Sequence, residues 1–543
     1  MNALPPPETP DVANQPPPFE PRDLWADDVV LREAVAREGA DGYREQLHDY
    51  ARLAGDELYR IGFDANRDRP RLKTHDRFGQ RVDAVEFHPA YHRLMQAAKA
   101  HGVAGLSWHE PQPGAHVARA ALSYLHHQAE AGTSCPLTMT HAAVPVLQRE
   151  PSLQDWARKA AAPHYDPRDV PIGEKAGLTI GMGMTEKQGG SDVRANTTTA
   201  TPLDAAGAYA LVGHKWFFSA PMCDGFLVLA QAPGGLTCFL MPRRLDDGSR
   251  NAFRLLRLKD KLGDWSNASS EVEFCGALAQ RVGIEGRGVA TIIEMVMLTR
   301  LDCMLGSAAE MRMALAQAVH HARHRRTFGK PLLQHALMRN VLADLAIEAE
   351  AGLAFSLRVA RAVEGSATDP REAAFARIAT AIGKYWICRR APAFVNEAQE
   401  CLGGAGYVEE SVLPRLYRQA PLNSIWEGSG NIQCLDVLRA LAREPATVEA
   451  VQSELGAAAG MSSVFDACSE RLVEDLQAAA EGAARILVER LALALQASVL
   501  LQAGSPAADL FVRSRLGGAH GLAFGTLPAS ADFASLIERA LPA

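Results

Sequence analysis

Between residues 178 and 244 the chain reads LTIGMGMT (178–185), TTTATPL (197–203), YALVGHKWFFSA (209–220), GFLVLAQA (225–232) and LTCFLMPRR (236–244). These runs are short and β-prone, and the turn-forming sequences DAAG, CDG, PGG and DDG stand between or after them. Strands and turns at this spacing are typical of an all-β sandwich or barrel. The stretch therefore predicts a β-sheet domain at about 178–288.

After this stretch the sequence pattern changes to one that is typical of long helices. Helical segments are predicted at about 289–326, 332–365 and 370–402, bounded by FGKP, EGSATDP and GGAG. In the third segment the apolar positions Phe375, Ile378, Ile382 and Tyr385 recur at helical spacing. Helices of this length favour an antiparallel bundle.

The sequence thus predicts a multidomain α+β protein with a helical N-terminal domain, a β-sheet middle domain, a C-terminal helical bundle and an extra C-terminal helical segment. The predicted divisions are a Pro-rich arm at 1–24, the helical domain at 25–177, the β domain at 178–288, the bundle at 289–444 and the extra segment at 445–543. Phe19 is expected to anchor the arm on the body.

Composition narrows the class of protein. The chain has 543 residues, 48% apolar and 22% charged, with a net charge of −7, so it is not a general polyanion binder. Its nine cysteines form no C-x-x-C pair, which indicates free thiols in a reducing compartment. The start lacks a signal-peptide pattern, and no apolar run is long enough to span a bilayer. A cytoplasmic protein with no membrane partner is predicted.

The run Asn423-Ser-Ile-Trp-Glu-Gly-Ser-Gly430 is the first candidate site. It places Glu427 among apolar residues and directly before a glycine. Such a carboxylate can have a raised pKa, and glycine lets backbone N–H groups approach a ligand. This combination suits removal of a proton from the carbon α to a carbonyl. The alternative from these residues alone is a surface glutamate in a helix-start turn.

Other motifs allow both a functional and a structural interpretation. The hydroxyls in MTEKQGGSDV (184–193) suit a polar ring edge or a phosphate, or an ordinary glycine turn. The strand GHKWFFS (213–219) suits a flat ligand or simple core. The segment RHRRTFGKP (323–331) suits a diphosphate or a helix C-terminus. His320 and His324 lie four residues apart, but no third ligand is near, and no metal is predicted.

Taken in this order, the motifs MTEKQGGSDV, GHKWFFS, RRTFG, LGGAGY and IWEGSGNI resemble the acyl-CoA dehydrogenase family over about residues 25–440. The start NQPPP, the KQ loop, the WFF strand, the SIWEGSGNI run and the extra C-terminal segment are similar, more narrowly, to its AidB-like branch. The resemblance implies FAD as the cofactor, held between the helical and β domains, and an acyl-CoA or similar thioester as the substrate.

The resemblance also implies roles for single residues. Glu427 matches the family's catalytic base. Thr185 and Ser191 match hydroxyls near the flavin and the substrate. Phe217 and Ser219 lie where the family has Trp and Thr against the flavin.

Further cofactor contacts are implied in the C-terminal bundle. Arg325 and Phe328 match a pair that reaches the flavin diphosphate region across a subunit interface, so a homotetramer is expected. Gly403 and Gly404 match the family's paired glycines.

The turn around the base completes the implied site. Ser429 and Asn431 follow the base in its flavin-contacting turn. Arg300 and Gly428, with Ser191, are the expected substrate contacts.

This sequence departs from the family pattern at some positions. Glu400 stands where a Gln often contacts the adenine half of FAD. The Gln-Gly-Gly loop replaces a more usual Pro-Gly-Ala-Gly, so acyl-CoA access is expected to differ. Thr299 stands where isovaleryl-type enzymes carry their base, which leaves Glu427 as the candidate.

The implied function is α,β-dehydrogenation of an acyl-CoA thioester. The electron acceptor and the acyl chain length are not indicated. The rival is a DNA-binding flavoprotein of the alkylation response with weak or vestigial dehydrogenase activity. Residues 441–543 hold seven arginines, no lysine and twelve acids, a net charge of −5, which argues against strong DNA binding by this segment. The candidate patch consists of Arg439, Arg513 and Arg515, and the alternative is that these arginines are solvated or paired with the acids.

Overall fold

The computed structural model describes residues 11–477 and 480–542. The predicted arm at 1–24 and the predicted segment at 445–543 therefore lie partly outside the described residues. The predicted α+β class is confirmed, because helices precede and follow a β-sheet in chain order. The exact domain boundaries stay predictions.

The N-terminal part is mainly helical. Its helices are α1 (Val29–Arg37), α2 (Arg44–Leu53), α3 (Tyr59–Arg67), α4 (Pro89–Ala100), α5 (Leu106–His109), α6 (Ala115–Ala129), α7 (Ser134–Gln148) and α8 (Gln154–Ala161). A π-helical turn at Ala54–Leu58 joins α2 to α3. An antiparallel hairpin, β1 (Arg71–His75) and β2 (Arg81–Glu86), interrupts the predicted helical region.

The β domain follows the predicted strands closely. Its strands are β3 (Ile180–Gly183), β4 (Thr199–Pro202), β5 (Ala208–Ser219), β6 (Gly225–Ala232), β7 (Gly235–Pro242), β8 (Phe253–Leu258) and β9 (Ser269–Val282). Pairing runs β3-β6-β4-β5-β9-β7, and β7 pairs again with β6, so the sheet closes on itself. β8 extends it by pairing with β9. Pairings of β3 and β4 with β6 are parallel, and the others are antiparallel.

The C-terminal part is built on three long helices. These are α9 (Gly288–His324), α10 (Ala336–Gly365) and α11 (Pro370–Cys401), followed by α12 (Leu413–Gln419), α13 (Gly430–Arg443), α14 (Pro445–Gly456), α15 (Ser463–Gln477), α16 (Ala484–Gln502), α17 (Ala508–Phe511) and α18 (Phe533–Ala540). Between α9 and α10 lies a small hairpin, β10 (Arg326–Thr327) and β11 (Lys330–Pro331). The predicted helix 289–326 ends at His324, because the next residue, Arg325, has an extended backbone. Phe328 and Gly329 adopt left-handed backbone angles at the tip of the hairpin.

Two apolar cores hold these parts together. One is continuous through the N-terminal helices, the bundle and the C-terminal segment. The other lies inside the sheet and includes residues of α7 and α8. Trp426 packs against this second core, which places the turn that contains Glu427 where the bundle meets the β domain. Over the described residues, no helix combines the length and the apolar character that crossing a membrane requires.

Candidate functional site

Glu427 lies in a turn between Ser424 and the first residue of α13. We name residues 426–428 the base turn. Glu427 has a φ of 57° and Gly428 a φ of 95°, and a left-handed glutamate persists only where its surroundings hold it. Hydrogen bonds to backbone carbonyl oxygens hold the turn in this conformation. The Glu427 carbonyl oxygen accepts from Gln433 Nε2 at 3.0 Å and from Arg300 Nε at 3.1 Å.

A buried lysine completes this hold. Lys384 Nζ, from α11, donates to the Trp426 carbonyl at 2.7 Å and also to the Gly428 carbonyl. Gln433 Nε2 donates to the same Gly428 oxygen at 2.9 Å. All three carbonyls of the base turn therefore point into the protein. Among the described residues, the backbone N–H groups of Glu427 and Gly428 have no acceptor.

The carboxylate of Glu427 is partly buried and has a defined partner. Thr299 Oγ1, on α9, donates to Glu427 Oε2 at 2.7 Å. Burial raises the pKa of Glu427 above its usual value, although the Thr299 hydrogen bond and the charges of Lys384 and Arg300 oppose that rise. A carboxylate with a raised pKa, on a fixed turn beside free N–H donors, has the properties of a general base next to an oxyanion site.

The Arg300 side chain is held by contacts within the protein. Its side chain is buried, its Nη1 pairs with Asp436 at 2.7 Å and its Nε holds the base turn. Arg377 pairs with the same carboxylate at 2.9 Å. Arg300 therefore supports the base turn from behind, and its role as a substrate contact stays a prediction. Gly428 lies against it, since a Cβ there would be 3.5 Å from Arg300 Nη2.

The loop of MTEKQGGSDV is held by an ion pair that the sequence analysis missed. Glu186 Oε1 and Lys215 Nζ lie 2.8 Å apart, and both side chains are fully buried. Glu186 also accepts from the N–H groups of Thr197 and Thr198 at 2.7 and 3.2 Å. The pair joins the loop to β5, where the Trp216 N–H donates to the Thr185 carbonyl at 2.8 Å.

This arrangement leaves the predicted hydroxyls available. Among the described residues, the hydroxyls of Thr185, Ser191 and Ser429 have no hydrogen-bond partner. Ser219 has only a long contact, 3.5 Å, to Ser269. On β5, Phe217 is 51% exposed, whereas the neighbouring Phe218 is fully buried in the core. Phe217 is thus partly accessible, with Lys259 Nζ 4.6 Å from the centroid of its ring.

The hairpin between α9 and α10 carries the predicted Arg325 and Phe328. Arg325 Nη1 donates to the Asn14 carbonyl at 2.7 Å, and the Asn14 amide exchanges two hydrogen bonds of 2.8 Å with the backbone of Arg326. Phe328 is 97% exposed. In the part of the chain that the structure describes, no hydrogen bond or ion pair joins either residue to the base turn.

The N-terminal arm also reaches α9. Phe19 stacks on His320 with ring centroids 4.1 Å apart, and the His320 ring contacts the Pro17 carbonyl at 2.9 Å. The expected anchoring by Phe19 is confirmed. The rings of His320 and His324 lie 4.7 Å apart and are tilted by 54°. Over the described ranges, no group of three His, Cys, Asp or Glu side chains could hold a metal ion.

The remaining predicted positions lie at the surface of the bundle. At Gly403 and Gly404 an added Cβ would meet nothing within 4 Å, so their backbone is open to approach. Glu400 is exposed nearby. The Asn431 side chain accepts from Arg485 Nε at 2.9 Å, which brings the start of α16 to the end of the base turn. Sequence reasoning gave no sign of this contact.

The candidate DNA arginines do not form one patch. Arg515 is 6% exposed in its side chain and lies 2.6 Å from Asp344 and 2.9 Å from Glu348, both buried acids of α10. It is therefore unavailable to a phosphate, which corrects that prediction. Arg513 pairs with Asp509 at 2.7 Å. Arg439 is 62% exposed and only loosely paired, 3.9 Å from an acid that two other arginines already hold.

The residues present fit a flavin dinucleotide. Open backbone at Gly403 and Gly404 lets a large cofactor approach, and free hydroxyls with the exposed face of Phe217 supply donors and a flat contact. The described residues that would hold the cofactor are Thr185, Ser191, Phe217, Ser219, Ser429 and Asn431, with Arg325 and Phe328 on a separate surface.

Comparison with known proteins gives three family matches along the chain. Residues 14–167 match the "Adaptive response protein AidB N-terminal domain". Residues 181–276 match the "Acyl-CoA dehydrogenase, middle domain", and residues 286–442 match the "Acyl-CoA dehydrogenase, C-terminal domain".

Whole-chain relatives agree with these matches. The chain is 48% identical to "Putative acyl-CoA dehydrogenase AidB" of Escherichia coli (strain K12) over 92% of this chain and 93% of that protein. It is 29% identical to "Acyl-CoA dehydrogenase family member 11" of Caenorhabditis elegans over 82% and 76% of the two chains. The crystal structure of Caenorhabditis elegans ACDH-11 in complex with C11-CoA superposes with a TM-score of 0.87, at 25% identity and over 95% of both chains.

Proposed function

Since the chain belongs to the acyl-CoA dehydrogenase family, in the branch that carries the AidB N-terminal domain, we propose that it is an FAD-dependent enzyme that converts an acyl-CoA thioester to its 2-enoyl product with Glu427 as the base. The family confirms the resemblance drawn from the motifs, and its members are flavin-dependent oxidoreductases of CH–CH groups. The C. elegans relative solved with C11-CoA supports an acyl-CoA as the ligand class.

The observation that carries this proposal is the state of Glu427. Its pKa is raised by burial, its Oε2 accepts from Thr299, and its own N–H is free. Glu427 takes the α-proton of the thioester while its N–H donates to the thioester carbonyl, where negative charge develops. FAD, where bound, would supply the two-electron oxidant for the β-hydrogen and its electron pair. Removing one such carbonyl donor typically costs about 3–4 kcal/mol in the barrier.

The direct test is titration of the flavin-loaded protein with short, branched and long acyl-CoAs, followed by flavin absorbance. Wild type should bleach with at least one chain class, and Glu427→Gln should keep its flavin and not bleach. Glu294→Gln is the matched control, because Glu294 is another partly buried carboxyl on the bundle whose pKa burial raises. Equal bleaching by Glu427→Gln and wild type would remove Glu427 from this role.

The proposal includes an assembly of several subunits, for which a homotetramer is the expected form. Phe328 is fully exposed at a hairpin tip, and burying a phenylalanine side chain stabilises an interface by about 1.5–3 kcal/mol. Arg325 beside it would then reach the flavin diphosphate of a neighbouring subunit.

A DNA-binding role in the alkylation response is the second candidate. Arg439 is the cation that favours it, because it is exposed, loosely paired and on the helix that starts at the base turn. A mobility shift of double-stranded DNA across a salt series tests it, since phosphate contacts give a steep loss of affinity with salt. No shift at low salt from an active dehydrogenase would exclude this candidate.

A further inference from the structure

Lys384 is the most deeply buried charge beside the base turn. Its side chain lies on α11 and is 1% exposed. Gly383 lets α11 pack closely on α9 here, because a Cβ would lie 2.3 Å from Met304 Cε. Within the described ranges, no carboxylate forms an ion pair with Lys384. An unpaired buried ammonium is unfavourable unless its hydrogen bonds compensate, and those bonds go to the carbonyls of Trp426 and Gly428.

The bond to Trp426 determines the direction of the Glu427 N–H. A trans peptide unit is planar, so the Trp426 carbonyl and the Glu427 N–H point in opposite directions within one rigid plane. Lys384 draws the carbonyl inward at 2.7 Å, and the N–H of Glu427 therefore points away from α11. That N–H has no acceptor among the residues that the structure describes.

The other side-chain donors to the base turn do not set the direction of the Glu427 N–H. Gln433 donates to the carbonyls of Glu427 and Gly428, and Arg300 donates to that of Glu427. Those carbonyls belong to the two following peptide units. Among the described residues, the side chain that donates to the Trp426 carbonyl is Lys384.

We propose that Lys384 is a positioning residue that aims and strengthens the Glu427 N–H as the donor to the thioester carbonyl. This rests on the proposed function. A carbonyl that accepts from a cation polarises its peptide, and the N–H at the other end becomes a stronger donor. Lys384 thus acts on the substrate through a peptide bond, without touching it.

The experiment compares wild type, Lys384→Met and Lys99→Met as flavin-loaded proteins. Lys99 is the matched control, because it is equally buried and also donates to two backbone carbonyls, those of Ala160 at 2.6 Å and Leu178 at 3.3 Å. The probe is a 2-enoyl-CoA with a ¹³C-labelled carbonyl, which carries no removable α-proton. Its carbonyl stretching frequency in the bound state reports the strength of the donor.

Wild type and Lys99→Met should lower the carbonyl frequency of the bound probe relative to the free probe. Lys384→Met should lose most of that shift, and its kcat for acyl-CoA should fall about 10²- to 10³-fold with a smaller change in KM. Lys384→Gln, which keeps a neutral donor, should give an intermediate shift and serves if the methionine variant does not fold. A wild-type shift in either folded Lys384 variant would overturn the proposal. Failure of wild type to bind any 2-enoyl-CoA would instead overturn the proposed function.

Discussion

The hydroxyl of Thr299 donates to Oε2 of Glu427 over 2.7 Å, and the same hydroxyl lies 2.9 Å from the backbone carbonyl of Val296. A hydroxyl has one proton, so it serves one acceptor at a time. When Glu427 is ionised, the proton of Thr299 goes to the carboxylate. When Glu427 holds a proton, it can donate to Thr299, which then donates to Val296. Thr299 can therefore partner the base before and after proton transfer.

Replacing Thr299 by valine should move the acidic limb of the activity profile to higher pH. The base must be ionised, burial already raises the pKa of Glu427, and the Thr299 bond opposes that rise. A hydrogen bond to a charged group contributes about 1.5–3 kcal/mol, which corresponds to about 1–2 pH units. The measurement is kcat/KM for flavin reduction against pH. Thr299→Ser keeps the hydroxyl and should keep the wild-type profile. If the pH profile of Thr299→Val coincided with that of wild type, Thr299 would not be the hydrogen-bond partner that lowers the pKa of the base.

The Glu186–Lys215 pair should stabilise the fold and the cofactor loop. Both side chains are fully buried, and removal of one partner from a buried pair typically destabilises by about 3–5 kcal/mol. Lys215→Met should lower the free energy of unfolding by that amount in denaturant titrations at neutral pH. The double variant Lys215→Met with Glu186→Leu should recover part of the loss, because no lone charge stays buried. A single variant as stable as wild type would contradict the prediction.

The same pair predicts a pH dependence. Burial opposes ionisation of Glu186, but hydrogen bonds from Lys215 and Thr198 outweigh it and lower the pKa to about 2, from 4.5. A lowered pKa gives stability that is present above pH 4.5 and lost as the pH falls towards about 2. Wild-type stability should therefore fall across this window, and the double variant should lose less there.

The fold was predictable where the pattern is strong and local. The β runs from Leu178 to Arg244 and the three long helices carry clear periodicities and turn signals. The hairpin of β1 and β2 was not predicted because its strands carry several charged residues and bury only Asp83 and Val85, with little apolar alternation. Propensity alone does not distinguish such a hairpin from a polar loop.

The site was predictable only in part. Glu427 could be proposed from the sequence because it lies beside a glycine in a recognisable run. Lys384 and Lys215 were missed because each finds its partners far along the chain, 42 residues away at Trp426 and 29 residues away at Glu186. Arg515 was placed on the surface for the same reason, since Asp344 lies 171 residues before it. Burial of a charged side chain depends on tertiary pairing that spacing does not reveal.

Arg515 should contribute to stability and not to DNA affinity. It is buried against Asp344 and Glu348, so Arg515→Met should lower the free energy of unfolding by about 3–5 kcal/mol. Arg513 is the matched control on the same segment, because its pair with Asp509 is exposed and should contribute less than about 1 kcal/mol. If DNA binding is detected, Arg515→Met should leave its salt dependence unchanged, whereas Arg439→Gln should reduce the slope by about one.

Phe328→Ser should weaken subunit association and flavin retention together. The side chain is 97% exposed in the chain, and a phenylalanine that becomes buried between subunits contributes about 1.5–3 kcal/mol per contact, or about 10- to 150-fold in the dissociation constant. Sedimentation equilibrium with flavin absorbance reports both quantities. Phe78→Ser is the control, because Phe78 is also an exposed aromatic at a hairpin tip, 73% exposed between β1 and β2, and no interface role is assigned to it. If Phe328→Ser retains the wild-type assembly and flavin content, the hairpin does not reach a neighbouring subunit and Arg325 loses its proposed contact with the diphosphate.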